Sequence, residues 1–337
     1  MSPPASALAA AGAQLPAGTT IRVLASHKAG HVVPCIGLAR ALGCEADVRE
    51  VNPRGLWLKL APLTPPDPRD EAPLAGPWPD IVIASARETV SYLRAIAKRS
   101  QGRVFTVFLG DPRMSRKAFS LIWAPGHDRI EGANVFKTVT APHPHDAQSL
   151  DALRRNPDAR IARLPGKRVA LFLGGPSGRF KYLPQDIERL GEVAQAILAS
   201  GASLMVSPSR RTPAQAISAI ARACADAARH APERIFLWDG SGENPFASML
   251  ALADAFVVTS DSINMIGEAA STGSPVHVFS PSGEAGKTRA FFDALSAHGV
   301  IRPWSGVLEN WSYAPLDATG AIASEIVARY TAYKAGR

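Results

Sequence analysis

The chain has 337 residues, enough for two domains of about 150 residues each. With 46% hydrophobic and 20% charged residues, its composition is globular and excludes a disordered chain. The excess of 37 Lys and Arg over 29 Asp and Glu favours anionic partners such as nucleotides, phosphate-bearing lipids or an acidic membrane surface. No basic run is interleaved with aromatic side chains, which argues against nucleic acid as a partner.

The first twenty residues, Met1 to Thr20, carry no charged side chain. A secretory signal would begin with basic residues, so we predict a short disordered leader over 1–20. No apolar stretch approaches the ~20 residues that cross a bilayer, and three scattered cysteines indicate a reducing compartment. These features predict a cytoplasmic protein, attached at most peripherally to the inner face of the plasma membrane.

After the leader, short apolar runs alternate with helical patterns. Seven prolines between Pro62 and Pro79 predict a loop after the second strand, because such a segment cannot join a sheet interior. The predicted strands of the first half are Ile21–Ala25, Ala46–Val51, Asp80–Ala84, Val104–Leu109, Phe119–Trp123 and Val135–Thr140, and its helices are about Pro34–Leu42 and Thr89–Lys98.

The polar segment Asn156–Gly166 contains two prolines and is typical of a linker, so we predict domains over 21–160 and 161–337. The alternation then resumes. The predicted strands are Arg168–Leu173, Ser203–Ser207, Arg234–Trp238, Ala255–Thr259 and Val276–Phe279, and the helices are about Asp186–Ser200, Pro213–His230, Pro245–Leu252, Met265–Thr272 and Thr288–Gly299. The final helix, about Ala318–Tyr333, could pack back onto either domain.

Strands that alternate with helices of this length predict parallel sheets, and therefore an α/β chain with two Rossmann-like domains. Two such domains in tandem predict a cleft between them. Open α/β sheets bind ligands at the carboxyl ends of their strands, and every distinctive motif of this sequence follows a predicted strand.

The first motif, Ser26-His27-Lys28-Ala29-Gly30-His31, lies between the first strand and its helix. Its small residues let an anion approach backbone N–H groups at a helix N-terminus. It is not a Gly-x-Gly-x-x-Gly pattern, which disfavours a nicotinamide site. The alternative interpretation is a tight turn with a solvated Lys28.

Two further motifs open the second domain. The turn Gly174-Gly175-Pro176-Ser177-Gly178-Arg179 has the composition of an anion cradle but lacks the ending of a P-loop, so ATP hydrolysis is not expected. In Ser209-Arg210-Arg211-Thr212-Pro213, two arginines suited to phosphate precede a helix predicted to be capped by Thr212. The alternatives are a plain glycine turn and two solvated arginines.

The most specific motif runs from Val258 to Val276. The small polar residues Ser260, Asp261, Ser262 and Asn264 open a helix whose N–H groups are suited to grip a diphosphate. Glu268 follows Ser262 by six residues, where its carboxylate could accept both hydroxyls of a ribose. The alternative is a capped helix with Glu268 in a salt bridge.

These residues resemble a known fold family. The stretch Ser260 to Val276 resembles the nucleotide-sugar site of GT-B glycosyltransferases, in particular those that add N-acetylglucosamine to form the peptidoglycan lipid precursor, and Ser26–Pro34 resembles their first loop. The resemblance implies that His31 lies near the acceptor and the donor diphosphate. It also implies that Gly174, Gly175 and Ser177 form the glycine loop of the second domain and that Glu268 binds ribose.

The chain is also similar to the mitochondrial fission (elongated-mitochondria) family, whose bacterial members carry provisional names as glycosyltransferases. The motifs that carry this similarity are Ser209-Arg210-Arg211-Thr212-Pro213, Asp111-Pro112-Arg113, Pro125-Gly126-His127-Asp128, Asn244-Pro245-Phe246 and Thr259 through Glu268 to Gly273. The proline-rich Ala141-Pro142-His143-Pro144 departs from the pattern, so His143 receives no role. The plant members suggest recruitment of a dynamin-related protein to mitochondria, a role not transferred to this bacterial-looking sequence.

We therefore predict a metal-independent glycosyltransferase with no cofactor beyond its nucleotide-diphosphate sugar. Arg210, together with Arg179, is expected to neutralise the leaving diphosphate. The acceptor is expected to be a cell-envelope molecule, lipid-linked or of lipopolysaccharide type. The candidate general bases are His31, Asp111, His127 and Asp128. The alternatives are a nucleotide-sugar epimerase on the same fold and a non-catalytic scaffold of the mitochondrial-fission type.

Overall fold

A computed structural model describes residues 14–27, 29–283 and 286–337 of the chain. The chain forms two compact units. The first comprises the residues up to Pro144 together with Ala318–Arg337, and the second comprises His145–Asp317. The division falls ahead of the predicted linker at Asn156–Gly166, because the residues on both sides of Asn156 form helices that belong to the second unit.

Twelve strands and twelve α-helices alternate along the described part of the chain. The strands are β1 (Ile21–Ala25), β2 (Ala46–Glu50), β3 (Ile81–Ser85), β4 (Phe105–Leu109), β5 (Leu121–Pro125), β6 (Val135–Thr138), β7 (Arg168–Leu173), β8 (Ser203–Pro208), β9 (Ile235–Leu237), β10 (Ala255–Thr259), β11 (Val276–Phe279) and β12 (Ile301–Pro303). The helices are α1 (Ala29–Ala41), α2 (Leu56–Leu60), α3 (Val90–Arg99), α4 (Ala147–Arg155), α5 (Ala159–Ala162), α6 (Pro184–Ala199), α7 (Ala214–Ala223), α8 (Ala225–His230), α9 (Phe246–Leu252), α10 (Ile263–Ala270), α11 (Arg289–Ala297) and α12 (Ala318–Ala335).

Each unit is built on a six-stranded sheet whose neighbouring strands pair in parallel. The strand order is β2-β1-β3-β4-β5-β6 in the first unit and β9-β8-β7-β10-β11-β12 in the second. The predicted α/β fold with two Rossmann-like sheets is therefore confirmed. In each sheet the order reverses once, between β1 and β3 and between β7 and β10. At such a switch point the loops diverge and leave a crevice for a ligand.

The central strands are apolar because side-chain layers cover both faces of each sheet. In β1, Ile21 and Val23 pack in the layer that contains α1 and α12, whereas Leu24 packs in the opposite layer with α3. Because successive side chains of a strand point to opposite faces, β1 contributes to the hydrophobic layers on both sides of the sheet. Leu15, from the predicted leader, also packs in the first layer, so the leader is ordered at that residue. Residues 1–13 of the leader lie outside the described residues.

Arg22 is an exception in β1, because its charged side chain is fully buried. Its Nε donates to Asp47 at 2.9 Å, and its guanidinium also donates to the carbonyls of Ala75 and Pro77 at 3.0 Å each. The proline-rich loop predicted from the sequence therefore supplies backbone acceptors to a buried cation. Buried charges are tolerated when they are paired and hydrogen-bonded in this way.

The last helix, α12, belongs to the first unit. Ile322 and Ile326 are fully buried in the same layer as α1. The Tyr330 hydroxyl donates to Asp80 Oδ1 at 2.9 Å, which ties the helix to the residue that precedes β3. The chain thus returns to its first sheet after completing the second.

Several elements were not predicted from the sequence: α2, α4, α5 and the short strand β12. The predicted helix Pro213–His230 is interrupted at Cys224 and forms α7 and α8. Thr212 does not cap α7, because Pro213 holds the N-cap position. Helix α1 begins at Ala29, so Pro34 lies inside it. Within the described ranges, no helix has both the length and the apolar character needed to span a membrane.

Candidate functional site

The second unit gathers the predicted donor-side motifs around the switch point between β7 and β10. The glycine turn follows β7, the loop 209–213 follows β8, and Ser260 and Asp261 follow β10. Because parallel strands end at the same edge of the sheet, these three loops are neighbours. Hydrogen bonds of both side chains and backbone join the three loops.

The two glycines after β7 pack directly against the other two loops. Gly174 N–H donates to Thr259 Oγ1 at 2.8 Å, and Gly175 N–H donates to Asp261 Oδ2 at 2.6 Å. A Cβ on Gly174 would overlap the Asp261 carboxylate, and a Cβ on Gly175 would overlap the backbone of Arg211. Glycine is required at both positions because the neighbouring loops approach the turn too closely for any side chain.

Asp261 contacts residues of the other two loops and Tyr182. Its side chain is fully buried. Besides Gly175 N–H, its carboxylate accepts the Tyr182 hydroxyl at 2.6 Å, and it lies 3.5 Å from Arg211 Nη2. Burial, with the Asp261 charge nearby, raises the pKa of Tyr182, so this hydroxyl remains a donor. Asp261 therefore holds the loops together, and its oxygens are already occupied by protein groups.

The adjacent arginines after β8 have different environments. Arg211 Nη1 donates to the carbonyls of Gly175 and Pro176 at 2.9 Å and 3.2 Å. Arg210 is exposed, and its guanidinium makes no hydrogen bond or ion pair with any residue the structure describes. Arg211 thus belongs to the scaffold of the site, and Arg210 is the arginine available to a ligand.

The loop that carries the arginines is itself tied to β7. Ser209 Oγ donates to the carbonyl of Gly174 at 3.0 Å, and Thr212 Oγ1 donates to that of Leu173 at 2.9 Å. The Ser209 N–H in turn donates to Thr212 Oγ1 at 2.8 Å. Thr212, expected as a helix cap, instead joins two strand ends.

The segment from Ser260 to Glu268 contains polar side chains that have no hydrogen-bond partner among the described residues. Ser260 Oγ is buried and has no hydrogen-bond partner in the described part of the chain. Ser262 occupies the N-cap position of α10 and is buried, but its side chain makes no capping hydrogen bond. Glu268 is half-buried and has neither a hydrogen bond nor an ion pair with a described residue, and burial raises the pKa of its carboxyl to about 8.

The remaining donor-side candidates lie around this centre. Ser177 Oγ accepts Phe180 N–H at 3.3 Å and so closes the glycine turn. Arg179 and Asn264 are exposed. Asn244 follows the edge strand β9, two strands from β7, and its Oδ1 accepts Phe246 N–H at the start of α9. Among the described residues, no group of three or more His, Cys, Asp or Glu side chains is arranged to hold a metal ion.

The first unit has a cavity of about 670 Å³ at its own switch point, between β1 and β3. Two predicted candidates, His31 and Asp111, line it. His127 and Asp128 are not among the described residues that line this cavity; they follow β5, where the Asp128 carbonyl accepts Lys137 Nζ at 2.7 Å. Lys28, from the first motif, lies outside the described residues.

A hydrogen-bond chain orients the ring of His31. The Ser85 hydroxyl donates to the carbonyl of Leu109 at 2.9 Å, and His31 Nδ1 lies 3.3 Å from the same hydroxyl oxygen. A hydroxyl has one proton, so Ser85 accepts from His31, whose Nδ1 carries the hydrogen. In the neutral ring this leaves the lone pair on Nε2, which is the form that accepts a proton.

The cavity also contains Glu88, which sequence reasoning missed. Glu88 lies on the short 3₁₀ turn directly after β3, is 8% exposed, and lines the cavity. Two lining residues have strained backbones: Ala86 has a φ of 83° and Arg113 a φ of 54°. Strain of this kind is concentrated at functional sites. The only sequence signal for Glu88 was its place after a strand, and the sequence does not reveal that β1 and β3 are neighbours.

Two six-stranded parallel sheets, each with polar loops at its switch point, define an α/β protein with a GT-B-like fold. A family model described as "Mitochondrial fission ELM1" matches residues 29–330. The chain belongs to this family. The resemblance inferred from the motifs is thereby confirmed.

Two relatives support this membership. The mitochondrial fission protein ELM1 of Arabidopsis thaliana is 30% identical over 274 residues, which cover 74% of this chain and 63% of that protein. The uncharacterized protein RP120 of Rickettsia prowazekii is 30% identical over 165 residues, 47% of this chain and 45% of that protein. The match thus spans less than two thirds of either relative.

A solved structure supports the fold. The UDP-GlcNAc 2-epimerase of Methanocaldococcus jannaschii aligns with a TM-score of 0.52 and 10% sequence identity. The alignment covers 92% of this chain and all of that one. At this identity, the similarity concerns the fold.

Proposed function

We propose that this protein binds a nucleotide-diphosphate sugar on its second unit and transfers the sugar to an acceptor hydroxyl without a metal ion. One observation carries the proposal. At the switch point between β7 and β10, the Ser260 hydroxyl and the Glu268 carboxyl are buried or half-buried without a partner among the described residues. Because buried polar groups normally hydrogen-bond within the protein, such groups mark a place for a ligand.

The diphosphate is assigned to the N-terminus of α10, beside the glycine turn after β7. Arg210 is exposed and has no partner in the described chain, so its planar fork can bind phosphate oxygens. Arg211 cannot do so without releasing the carbonyls of Gly175 and Pro176. The N-terminal N–H groups of α10 add positive potential. These groups stabilise the negative charge that develops on the leaving diphosphate.

The ribose is assigned to Glu268. It follows Ser262 by six residues, a rise of about 9 Å along a helix, which separates a phosphate at the helix start from a ribose further along. With a pKa of about 8, the carboxyl is protonated near neutral pH before a nucleotide binds. Two ribose hydroxyls that donate to the carboxylate would favour its ionised form.

The acceptor proton is assigned to His31 Nε2. The acceptor oxygen bonds to the anomeric carbon, the bond from that carbon to the diphosphate oxygen breaks, and the nucleoside diphosphate leaves. The hydroxyl proton passes to Nε2, whose lone pair is preserved by the hydrogen bond between Nδ1 and Ser85. Asp111 lines the same cavity and is the second candidate base.

The acceptor is assigned to the cell envelope, as a lipid-linked or lipopolysaccharide-type sugar reached from the cytoplasmic face. The formal net charge of +8 supports attachment to anionic lipid. Uridine nucleotides are the first donors to test, since UDP-GlcNAc appears in the name of the epimerase that shares the fold.

Ligand-induced thermal stabilisation tests the donor site. The wild-type protein is heated with UDP, GDP, ADP, CMP and their sugars. A ligand present at ~100 times its Kd adds about 2.7 kcal/mol to the stability of the folded state. We expect Arg210→Ala and Glu268→Gln to weaken the response, because each loses a group assigned to the nucleotide.

Matched controls come from the same unit. Arg222→Ala removes an exposed arginine from α7, and Glu188→Gln changes an exposed glutamate on α6. Both are expected to respond as the wild type does. If no nucleotide stabilises the wild-type protein, the proposal is wrong. If Arg210→Ala and Glu268→Gln leave the response unchanged, the nucleotide binds at a different site.

The two alternatives give different results in the same experiments. An epimerase, as in the name of the solved structure with this fold, would convert the donor sugar with no acceptor present. A scaffold, as suggested by the name of the Arabidopsis relative, would show no nucleotide response. Product analysis by mass spectrometry and NMR, with and without an acceptor, separates the transferase from the epimerase.

A further inference from the structure

The cavity of the first unit contains a carboxyl group, that of Glu88, one oxygen of which is buried without a hydrogen-bond donor among the described residues. The Glu88 side chain is 10% exposed, and its Oε1 is buried without a hydrogen-bond partner in the described part of the chain. Among the described residues, the basic side chain within 4.0 Å of it is that of His27, whose Nδ1 is 3.9 Å away and whose side chain is 68% exposed. That separation is too long for a hydrogen bond. A buried acceptor left in this state destabilises the folded protein, because it has lost its hydrogen bonds to water.

The position of Glu88 is set by the turn that carries it. The Thr89 hydroxyl lies within hydrogen-bonding distance of the carbonyls of Ser85 and Ala86, at 3.1 Å and 2.9 Å, which fixes the turn to the end of β3. Ala86 has φ 83° and ψ 149°, a combination that residues with a side chain rarely adopt. The turn therefore holds Glu88 at the cavity instead of allowing it to move into solvent.

The charges around the cavity indicate the class of ligand. Glu88 and Asp111 line it together with Arg87 and Arg113, so neither sign of charge dominates among the described lining residues. The Arg87 guanidinium is engaged by the carbonyl of Leu58 at 3.0 Å, which leaves it less available to an anion. An anionic ligand would also face two carboxyl groups. A carboxylate with an unoccupied oxygen instead requires hydrogen-bond donors, which sugar hydroxyls supply.

We propose that this cavity is a carbohydrate-binding site in which the Glu88 carboxylate accepts hydrogen bonds from sugar hydroxyls. Its volume of about 670 Å³ lies within the range of small-molecule sites. The inference rests on the proposed function in one respect: the sugar would be the acceptor, whose reacting hydroxyl faces His31. Glu88 would position that sugar by binding its other hydroxyls.

Saturation-transfer NMR tests this site without any nucleotide. The probes are the methyl glycosides of glucose, galactose, mannose and N-acetylglucosamine, added to the 337-residue chain. We expect saturation transfer to at least one glycoside, and about tenfold weaker binding in Glu88→Gln, because hydrogen bonds to a charged group contribute more than ~1.4 kcal/mol. Glu50→Gln, an exposed glutamate on β2, is the matched control and should bind as the wild type does.

A second pair of variants avoids changing a buried residue. Leu58 lines the cavity and is 37% exposed, whereas Leu60 on the same helix is 50% exposed and does not line it. Leu58→Trp should narrow the cavity and weaken glycoside binding, and Leu60→Trp should not. Circular dichroism and thermal unfolding establish that each variant is folded.

The outcomes separate this inference from the proposed function. Glu88→Gln should retain the nucleotide-induced stabilisation of the wild type. If no glycoside shows transfer to the wild type, or if Glu88→Gln and Leu58→Trp bind as tightly as their controls, the inference is wrong, whatever the nucleotides do. Failure of the donor site would appear instead as the absence of nucleotide stabilisation.

Discussion

Glu268 is a half-buried side chain that stands out because it has no partner among the described residues. It is half-buried on α10, it has no hydrogen bond or ion pair with a described residue, and burial raises the pKa of its carboxyl to about 8. The sequence predicted this glutamate as a ribose ligand from its place in the motif and left a salt bridge as the alternative. No ion pair with a described residue is present, which favours the ligand hypothesis at the scale of the residue.

The first prediction concerns the pH dependence of stability. The folded-state pKa of about 8 lies above the ordinary value of 4.5, so the folded protein retains a proton that the unfolded chain releases. This contribution is fully present below about pH 4.5 and is lost as the pH rises through about 8, by at most ~1.4 kcal/mol per pH unit. Glu268→Gln should therefore become more stable than the wild type as the pH rises.

Urea unfolding at about pH 5 and about pH 8.5 measures this difference. Glu188→Gln, which changes an exposed glutamate, should show no such trend relative to the wild type. An equal stability difference at both pH values would contradict the burial of an unpaired carboxyl at position 268.

The second prediction concerns the glycine turn. Gly174→Ala places a Cβ against the Asp261 carboxylate, which cannot move freely because Tyr182 and Gly175 hold it. We expect a loss of about 1–3 kcal/mol in stability and a weaker nucleotide response. In Gly178→Ala, nothing lies within 4 Å of the added Cβ, so this control should behave as the wild type in both assays.

At the scale of elements, the strands were easier to predict than the helices. The bounds of β1, β7, β10 and β11 agree with their apolar runs, because strands buried on both faces are mostly apolar. Arg22 in β1 and His277 in β11 are buried polar exceptions. The short helices α2, α4 and α5 were missed. They span only 5, 9 and 4 residues and bury at most one residue each, so the helical period has little length in which to be recognised.

The third prediction concerns α12. Ile326 is fully buried in the layer shared with α1, and its truncation to Ala should cost about 2–5 kcal/mol in the stability of the first unit. Ser324 is exposed on the same helix, so Ser324→Ala is the matched control. Calorimetry of both variants measures the effect. A loss confined to a few tenths of a kcal/mol at Ile326 would contradict the packing of this helix into the core.

At the scale of the whole molecule, each candidate site lies where the strand order of its parallel sheet reverses. In each sheet, polar groups gather where the strand order reverses: Gly174 and Asp261 in the second unit, His31 and Glu88 in the first. Membership of the ELM1 family covers nearly the whole chain. The relatives are longer than the matched region, so the activity of the full-length relatives does not follow from the match.

The fourth prediction concerns the surface of the molecule. With a formal net charge of +8, the protein should sediment with vesicles of phosphatidylcholine and phosphatidylglycerol but not with phosphatidylcholine alone. Binding should fall as salt is raised from about 0.1 M to about 1 M, because the screening length falls from ~10 Å to ~3 Å. Binding that is unaffected by salt would contradict an electrostatic attachment.

The sequence by itself determined the two parallel sheets, the glycine turn, the arginine loop and the Ser260–Glu268 segment. These are local features, since each depends on apolar periodicity or on a residue type beside a strand end. The tertiary structure decided which members are held by other protein groups and which have no partner among the described residues. Arg210 and Arg211 are indistinguishable as neighbours in sequence, yet only Arg211 is bound to the carbonyls of a loop 36 residues away. Glu88 joined His31 for the same physical reason: the strand order brings β1 beside β3, and no local pattern encodes that pairing.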